Sequence, residues 1–187
     1  MIAIIGIAGS GKSTQRDLLA QQLNCPWVYS GELLRKNLAG DQKKDLAAGK
    51  PIDDRITIAL LERDFKEKGA KHQECILDGS PRYIEQAQWF VGLVKSGQIK
   101  LTGVIHLVMT PEEAAKRLSG RGRHDDSQQA IDQRFKVYET YTKPVLEYLK
   151  AQGIKVHNVD ATASIEEINE QIRQELGLKI LVESRSR

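Results

Sequence analysis

The octapeptide Gly6-Ile7-Ala8-Gly9-Ser10-Gly11-Lys12-Ser13 constrains the fold of this chain more than any other feature. It fits the pattern GxxxxGK[ST], follows the apolar residues 2–5 and precedes a segment carrying Leu18, Leu19 and Leu23. A strand, a glycine-rich turn and a helix are therefore predicted in that order. Glycines let backbone N–H groups turn inward around an anion, the lysine reaches terminal phosphates, and the Ser13 hydroxyl suits a magnesium ion. The start of the following helix adds its positive end. A glycine-rich turn with a chance lysine is the alternative, and the flanking strand and helix speak against it. The motif points to a nucleoside triphosphate without naming the reaction.

Four further strand-length apolar runs follow, at residues 27–29, 75–77, 104–109 and 154–159, rich in Val and Ile as buried parallel strands are. Stretches of helical period separate them. Thr110-Pro111-Glu112-Glu113 and Ser164-Ile165-Glu166-Glu167 each place a hydroxyl three residues before a glutamate, a capping box that opens a helix. Ile165, Ile168, Ile172 and Leu176 then fall on one helix face, predicted to pack against the sheet. Alternation of this kind implies a parallel sheet covered by helices on both faces. Residues 31–70 break the alternation and read as an insertion on one edge. A second, smaller insertion is expected at 120–127, and residues 183–187 read as a frayed tail.

Composition narrows the function classes. The 187 residues carry 28 Lys+Arg against 25 Asp+Glu and are 40% apolar, the balance of one soluble domain with a sizeable core. No apolar run reaches 18 residues and the apolar start has no basic leader, so neither a membrane span nor a secretory signal is expected. Cys25 and Cys75 lie far apart and are the only cysteines; they build no disulfide framework and no CxxC metal site, and the expected setting is the reducing cytoplasm. The +3 surplus is spread along the chain rather than gathered in a stripe, so no nucleic-acid partner is expected.

Further motifs sharpen the reading. Tyr29-Ser30-Gly31-Glu32-Leu33-Leu34-Arg35 follows the second apolar run, and Asp78-Gly79-Ser80-Pro81-Arg82 with Gln86 follows the third. Together with residues 6–15 they resemble the adenylate kinase family of nucleoside monophosphate kinases, whose pattern runs GxPGxGKGTQ, STGDLLR, DGFPR with a glutamine four residues on, then an arginine-bearing lid. The resemblance covers residues 1–176. It implies an α/β fold, a P-loop three-layer sandwich with a five-stranded parallel sheet. The core would comprise residues 1–30, 62–119 and 128–180, the helical monophosphate-binding insertion 31–61, the short lid 120–127 and the tail 181–187.

The implied activity is reversible, magnesium-dependent phosphoryl transfer from ATP to AMP, giving two ADP. The resemblance assigns Gly9, Ser10, Gly11, Lys12, Ser13 and Thr14 to the ATP phosphates and Arg117 to the ATP side near adenine. Arg35 and Arg82 would hold the monophosphate beside Gly79, while Ser30 and Gln86 would face its base. A guanidinium fork suits a phosphate, and an amide suits the donor-acceptor edge of adenine. For Arg35 and Arg82 the alternative is a solvated helix-end arginine. Asp78 would order magnesium-bound water alongside Ser13; a turn cap is its alternative. Lys12, Arg82, Arg121, Arg123 and Arg134 would neutralise the transferring phosphates. Arg117 and Arg121, four apart, are predicted to share a helix face; Asp125 and Asp126 would pair with the lid arginines, and Asp126 with Gln129 forms a helix capping box as the alternative or in addition. No catalytic base is required, because the attacking phosphate oxygen is already anionic. His72, His106 and His157 are expected at the surface or satisfied in the core. Closure of the lid and insertion on ligand would exclude water.

The departures concern selectivity. Ser80 replaces the phenylalanine of DGFPR, Ser30 a threonine and Glu32 an aspartate, and residues 120–127 are too short for the four-cysteine zinc site of some relatives. Gln86 favours AMP; a UMP/CMP or broad-specificity kinase is the rival. A nucleotide-dependent RNA-binding module is the alternative of another class, while a regulatory GTPase lacks its NKxD and DxxG motifs here. With no exposed apolar stripe in the pattern, a monomer is expected.

Overall fold

Strands β1 (Ile2–Gly6), β2 (Trp27–Tyr29), β3 (Ile76–Asp78), β4 (Gly103–Val108) and β5 (Val156–Asp160) form one parallel sheet in the order β2-β3-β1-β4-β5. They belong to a computed structural model that describes residues 1–120 and 127–178. All five predicted runs are strands, with small shifts at the ends. β5 starts at Val156 rather than Ile154, because the Ile154 N–H still donates to the Leu149 carbonyl in the turn that leaves the preceding helix. β4 begins one residue early at Gly103, whose missing side chain leaves room for that of Leu176.

Helices cover both faces. They are α1 (Lys12–Leu23), α2 (Ser30–Asn37), α3 (Gly40–Ala47), α4 (Asp54–Glu67), α5 (Ile84–Lys95), α6 (Pro111–Ser119), α7 (Gln128–Val137), α8 (Lys143–Ala151) and α9 (Ile165–Glu175). On one face Ala3, Ile5, Val28, Leu77 and Val104 pack with Leu61 and Phe65 of α4, Phe90 of α5 and Leu149 of α8. On the other, Ile2, Ile4, Ile76, Ile105 and Val159 pack with Leu19 of α1 and with Ile168 and Ile172 of α9. Each such Val, Ile, Leu or Phe side chain contributes about 1.5–3 kcal/mol when fully buried. The period-two alternation of β1 divides its residues between the two clusters, as the pleat requires.

Both predicted capping boxes form, at Thr110 with Glu113 and at Ser164 with Glu167. The expected apolar face of α9 is shorter than its spacing implied. Ile168 and Ile172 are buried and Leu176 packs at the edge, but Ile165 is 49% exposed because it stands in the first turn, beyond the sheet and at the lip of a cleft.

The region expected as an insertion at 31–61 contains most of α2, all of α3 and half of α4. The boundary at 61/62 falls inside α4, a continuous helix whose later residues Leu61 and Phe65 enter the core. Gly49, at a left-handed φ of 74°, brings the turn after α3 against α7: a Cβ there would stand 2.8 Å from the Ala130 carbonyl. Between α7 and α8 the chain passes through a π-helical stretch, Tyr138–Thr142. Pro144 lacks the N–H that a regular turn would need, and the helix widens just before it. Of the expected short lid only Gly120 and Ser127 are described; residues 121–126 and 179–187 lie outside the described residues. The cap of α7 is Ser127, whose hydroxyl accepts from the Ala130 N–H, while Asp126 lies outside the described residues.

Candidate active site

The carboxyl ends of β1, β2 and β3 open on a cleft of about 770 Å³. Open parallel sheets bind ligands at this edge, where strands end and helices begin. The loop after β1 forms its floor. Gly9 and Gly11 have φ of 89° and 88°, and a Cβ on Gly9 would meet the Ala114 carbonyl at 2.8 Å, so conformation and space both demand glycine there. Gly11 caps α1 without a side-chain bond, which leaves the first-turn N–H groups of that helix facing the cleft. The Lys12 ammonium donates to the carbonyls of Gly6 (2.8 Å) and Ile7 (2.7 Å), which hold it over the loop.

Gly9, Gly11, Lys12, Ser13 and Thr14 all line the cleft. Ser10 does not: it is fully buried, its N–H donates to the Ile7 carbonyl, and its hydroxyl has no partner among the described residues.

Asp78 ends β3 with its carboxylate fully buried. Its Oδ2 accepts from the Ser13 hydroxyl at 2.9 Å and from Arg16 Nη1 at 3.1 Å, whereas Oδ1 has no partner among the described residues. Arg16 is itself nearly buried, with its side chain 8% exposed. Its guanidinium carbon stands 4.0 Å from the Trp27 ring centroid and 5.3 Å from that of Tyr29, and it also pairs with Asp17. A buried carboxylate oxygen without a donor, next to a hydroxyl, is an oxygen-only donor set of the kind a hard cation prefers. Among the described residues no group of three or more His, Cys, Asp or Glu side chains could hold a metal ion by itself.

The far wall carries Arg35 from α2 and Arg82 from the loop after β3. Arg82 Nε donates to the Gly79 carbonyl at 2.7 Å, and Arg35 lies over the Tyr29 ring at 5.2 Å. Gly79 has a φ of 80°, and a Cβ would approach both Arg82 Nη2 and Ser30 Oγ to 3.0 Å. Two residues expected to face a base lie behind this wall. Ser30 is buried, and its hydroxyl donates to the Gly79 carbonyl at 2.8 Å. Gln86 is buried too, with Oε1 accepting from Ser80 Oγ (2.9 Å) and the Arg82 N–H (3.0 Å) and Nε2 donating to Asp54 (2.6 Å). Both side chains brace the loop that presents Gly79 and Arg82.

On the remaining side, Arg117 lines the cleft, donates to the Thr162 carbonyl at 3.4 Å and stands beside Gly11. Arg134 lines it from α7, close to Gly49. α6 ends at Ser119 with Gly120 as its cap, and the expected shared helix face of Arg117 and Arg121 reaches outside the described residues. Arg121 and Arg123 lie outside the described residues. His106 bonds Asn158 (2.9 Å) and Tyr138 (2.7 Å), and His157 bonds Glu175 (2.6 Å), so both are satisfied as expected.

Sequence reasoning missed Arg16, Tyr29, Lys50, Lys116 and Tyr138, which touch the cleft or its carboxylate. Arg16 was open to discovery: it lies four residues after Lys12 on one helix face, opposite the aromatic pair Trp27 and Tyr29 on one strand face.

The comparisons with known proteins agree with this geometry. The profile of the family described as Adenylate kinase matches residues 4–154. Curated proteins called adenylate kinase resemble the chain over nearly its whole length. One from Mycobacterium sp. strain MCS is 35% identical, covering 94% of this chain and 98% of the relative. Others from Corynebacterium urealyticum and Leptospira biflexa are each 34% identical, covering 90% and 91% of this chain and 94% and 96% of the relatives. With a family profile spanning most of its length, and with a phosphate loop and an arginine pair on one cleft, the chain belongs to the adenylate kinase family.

Proposed function

We propose that this chain transfers the γ-phosphoryl group of ATP to AMP, reversibly and with magnesium, giving two ADP. The observation that carries the reading is that the phosphate loop and the Arg35–Arg82 pair line one and the same cleft. A donor and an acceptor phosphate held there would be brought together, and phosphoryl transfer requires little beyond such positioning and neutralisation.

In this reading Gly9, Gly11, Ser13 and Thr14 hold the donor phosphates, Ser10 shapes the loop from beneath, and Arg117 flanks the donor nucleotide. Arg35 and Arg82 grip the acceptor phosphate beside Gly79. An anionic oxygen of that phosphate attacks the γ-phosphorus. The bond to the β–γ bridging oxygen breaks, and the electron pair leaves with ADP. No proton needs to move. Lys12 leaves its two carbonyls to follow the transferring group, and Arg134 neutralises its equatorial oxygens; Arg121 and Arg123 are assigned the same task from their place in the chain. Magnesium, held through Ser13 and through water on Asp78, would supply charge neutralisation at the β- and γ-phosphates. For Gln86 to face the acceptor base, its Nε2 bond to Asp54 must exchange for one to the base edge.

Residues 31–61 act as the acceptor-binding unit and 120–127 as the lid. Among the described residues no helix is long and apolar enough to cross a membrane. The two free thiols fit a reducing cytoplasm, where we place the reaction, carried out by a monomer.

A coupled assay with ATP against AMP, CMP, UMP, GMP and dTMP tests the reading. AMP is expected to be the preferred acceptor. Equal or better use of CMP or UMP would transfer the chain to the pyrimidine-directed kinases, and tight RNA retention with no transfer to any acceptor would overturn the enzyme reading.

A further inference from the structure

The transfer step above gives no task to the π-helical stretch between α7 and α8. At its end the Lys143 N–H reaches back to the Tyr138 carbonyl, and Thr142 is its last residue. A threonine inside a helix commonly returns its hydroxyl to a carbonyl of that same helix. Thr142, 4% exposed, sends it to another segment instead and donates to the Arg82 carbonyl at 3.2 Å. The neighbouring rings of Tyr141 and Tyr83 meet beside this bond, with centroids 5.4 Å apart. In an unbroken α-helix Thr142, eight residues after Arg134, would be turned about 80° away from it. The wider π turn advances less per residue and takes out much of that rotation. Arg134, Tyr138 and Thr142 all line the cleft.

We propose that Thr142 is a positioning residue for the acceptor site: its hydroxyl fixes the backbone of Arg82, and the π turn is what aims it there. The proposal rests on the acceptor reading of Arg35 and Arg82 given above.

Three bonds define where the Arg82 guanidinium stands. The Arg82 N–H donates to Gln86 Oε1 at 3.0 Å, its Nε donates to the Gly79 carbonyl at 2.7 Å, and its carbonyl accepts from Thr142. The first two partners are neighbours in the chain. Only the third comes from a distant segment, 60 residues on, and so ties the loop after β3 to the far side of the fold. Because α7 runs directly into the π-helical stretch, one continuous helical run carries Arg134 and also braces Arg82. A guanidinium fork grips a phosphate through a fixed geometry, so a small shift of its backbone weakens the hold. The phosphate loop has no bond to Thr142 among those described, and donor binding should not feel the change.

The test compares KM for AMP and for ATP in the native enzyme, Thr142→Val, Thr142→Ala, Thr142→Ser, Arg82→Ala and the double variant of Thr142→Val with Arg82→Ala, each checked for folding by thermal unfolding. Valine puts a methyl where the hydroxyl stood and alanine leaves a gap, so the two share only the lost bond, and alanine carries the test if valine does not fold. Both should raise KM for AMP about fivefold, the loss of one hydrogen bond, with KM for ATP changed less than about twofold. Serine keeps the hydroxyl and should stay within about twofold of the native KM for AMP. In the Arg82→Ala background Thr142→Val should add little, because its effect passes through Arg82. An unchanged KM for AMP in a folded enzyme without the hydroxyl overturns the proposal. So does an equal rise in both KM values, a serine variant as impaired as valine, or full additivity with Arg82→Ala. Arg82→Ala separates the two layers. If it raises KM for AMP while the hydroxyl-free variants do not, only the role of Thr142 falls; if it too leaves KM for AMP unchanged, the acceptor reading falls and the role of Thr142 with it.

Discussion

Replacing Arg16 by methionine would leave the Asp78 carboxylate buried without its cation. The pair is inaccessible on both sides, with side chains 8% and 0% exposed, and its nitrogen-oxygen distance is 3.1 Å. At an effective dielectric of about 20, charges at that separation attract by roughly 5 kcal/mol. Methionine relieves the desolvation of Arg16 but not that of Asp78, so one-sided removal of such a pair costs about 3–5 kcal/mol. The guanidinium also stacks on Trp27 at 4.0 Å, a contact worth about 2 kcal/mol when desolvated. Against a total stability of about 5–15 kcal/mol, the loss is large. Urea unfolding of the native chain, Arg16→Met, Asp78→Asn and the double variant measures it. Arg16→Met is expected to lose about 3–5 kcal/mol, and the double variant to regain about 2 kcal/mol or more relative to the sum of the single losses. Arg16→Lys keeps the charge but loses the flat fork, and should fall between. A loss under about 1 kcal/mol in Arg16→Met, or strict additivity in the cycle, would refute the view that Arg16 is the partner that lets the Asp78 carboxyl group sit buried inside the protein.

Two other substitutions test the phosphate loop and the turn after α3. Lys12→Ala removes a fixed charge from the transferring phosphates and should lower kcat by about 10²-fold or more with a smaller change in KM for ATP; near-normal turnover would remove Lys12 from the mechanism. Gly49→Ala meets two obstacles, a left-handed φ of 74° and an Ala130 carbonyl 2.8 Å from the new Cβ. It should cost about 1 kcal/mol or more and push the turn after α3 away from α7. Thermal unfolding and solution scattering with a bisubstrate analogue check it: the variant should melt lower and pack less tightly than the native complex, and identical melting and scattering would show that this contact does not serve closure.

The sheet and its edge were legible because their signals are local. Apolar strands, capping boxes and the glycine-rich loop each occupy a few adjacent residues, and a parallel sheet follows from their alternation. The phosphate loop was legible for a further reason: the backbone does the binding, so glycines at fixed spacing carry the chemistry. What the sequence concealed lies between elements. Arg16 on α1, Trp27 and Tyr29 on β2 and Asp78 on β3 form one linked set, and no spacing along the chain announces it. The expected role of Gln86 had the same weakness. Its amide could be read as a base ligand, but Ser80, the Arg82 N–H and Asp54 engage all three of its observed bonds, and only the fold brings them together. Ile165 stood exposed because helical period gives a face but not where the sheet beneath that face ends.

Two arginines of the cleft rest on partners of a particular kind. Arg82 donates to the Gly79 carbonyl and Arg117 to the Thr162 carbonyl, while the Arg35 guanidinium lies over the Tyr29 ring. These oxygens are neutral, and hydrogen bonds to neutral acceptors are about half as strong as those to anionic ones. An incoming phosphate therefore offers Arg82 and Arg117 a stronger partner than the carbonyls they hold. Asp78 would be the exception, a carboxylate on the wall beside Lys12, were its charge not already matched by Arg16. The buried pair thus does more than stabilise the fold: it keeps one carboxylate from competing with the substrate for the cations around it. A net charge of +3 conceals this, because what draws a polyphosphate into the cleft is the local field and the weakness of the bonds it replaces.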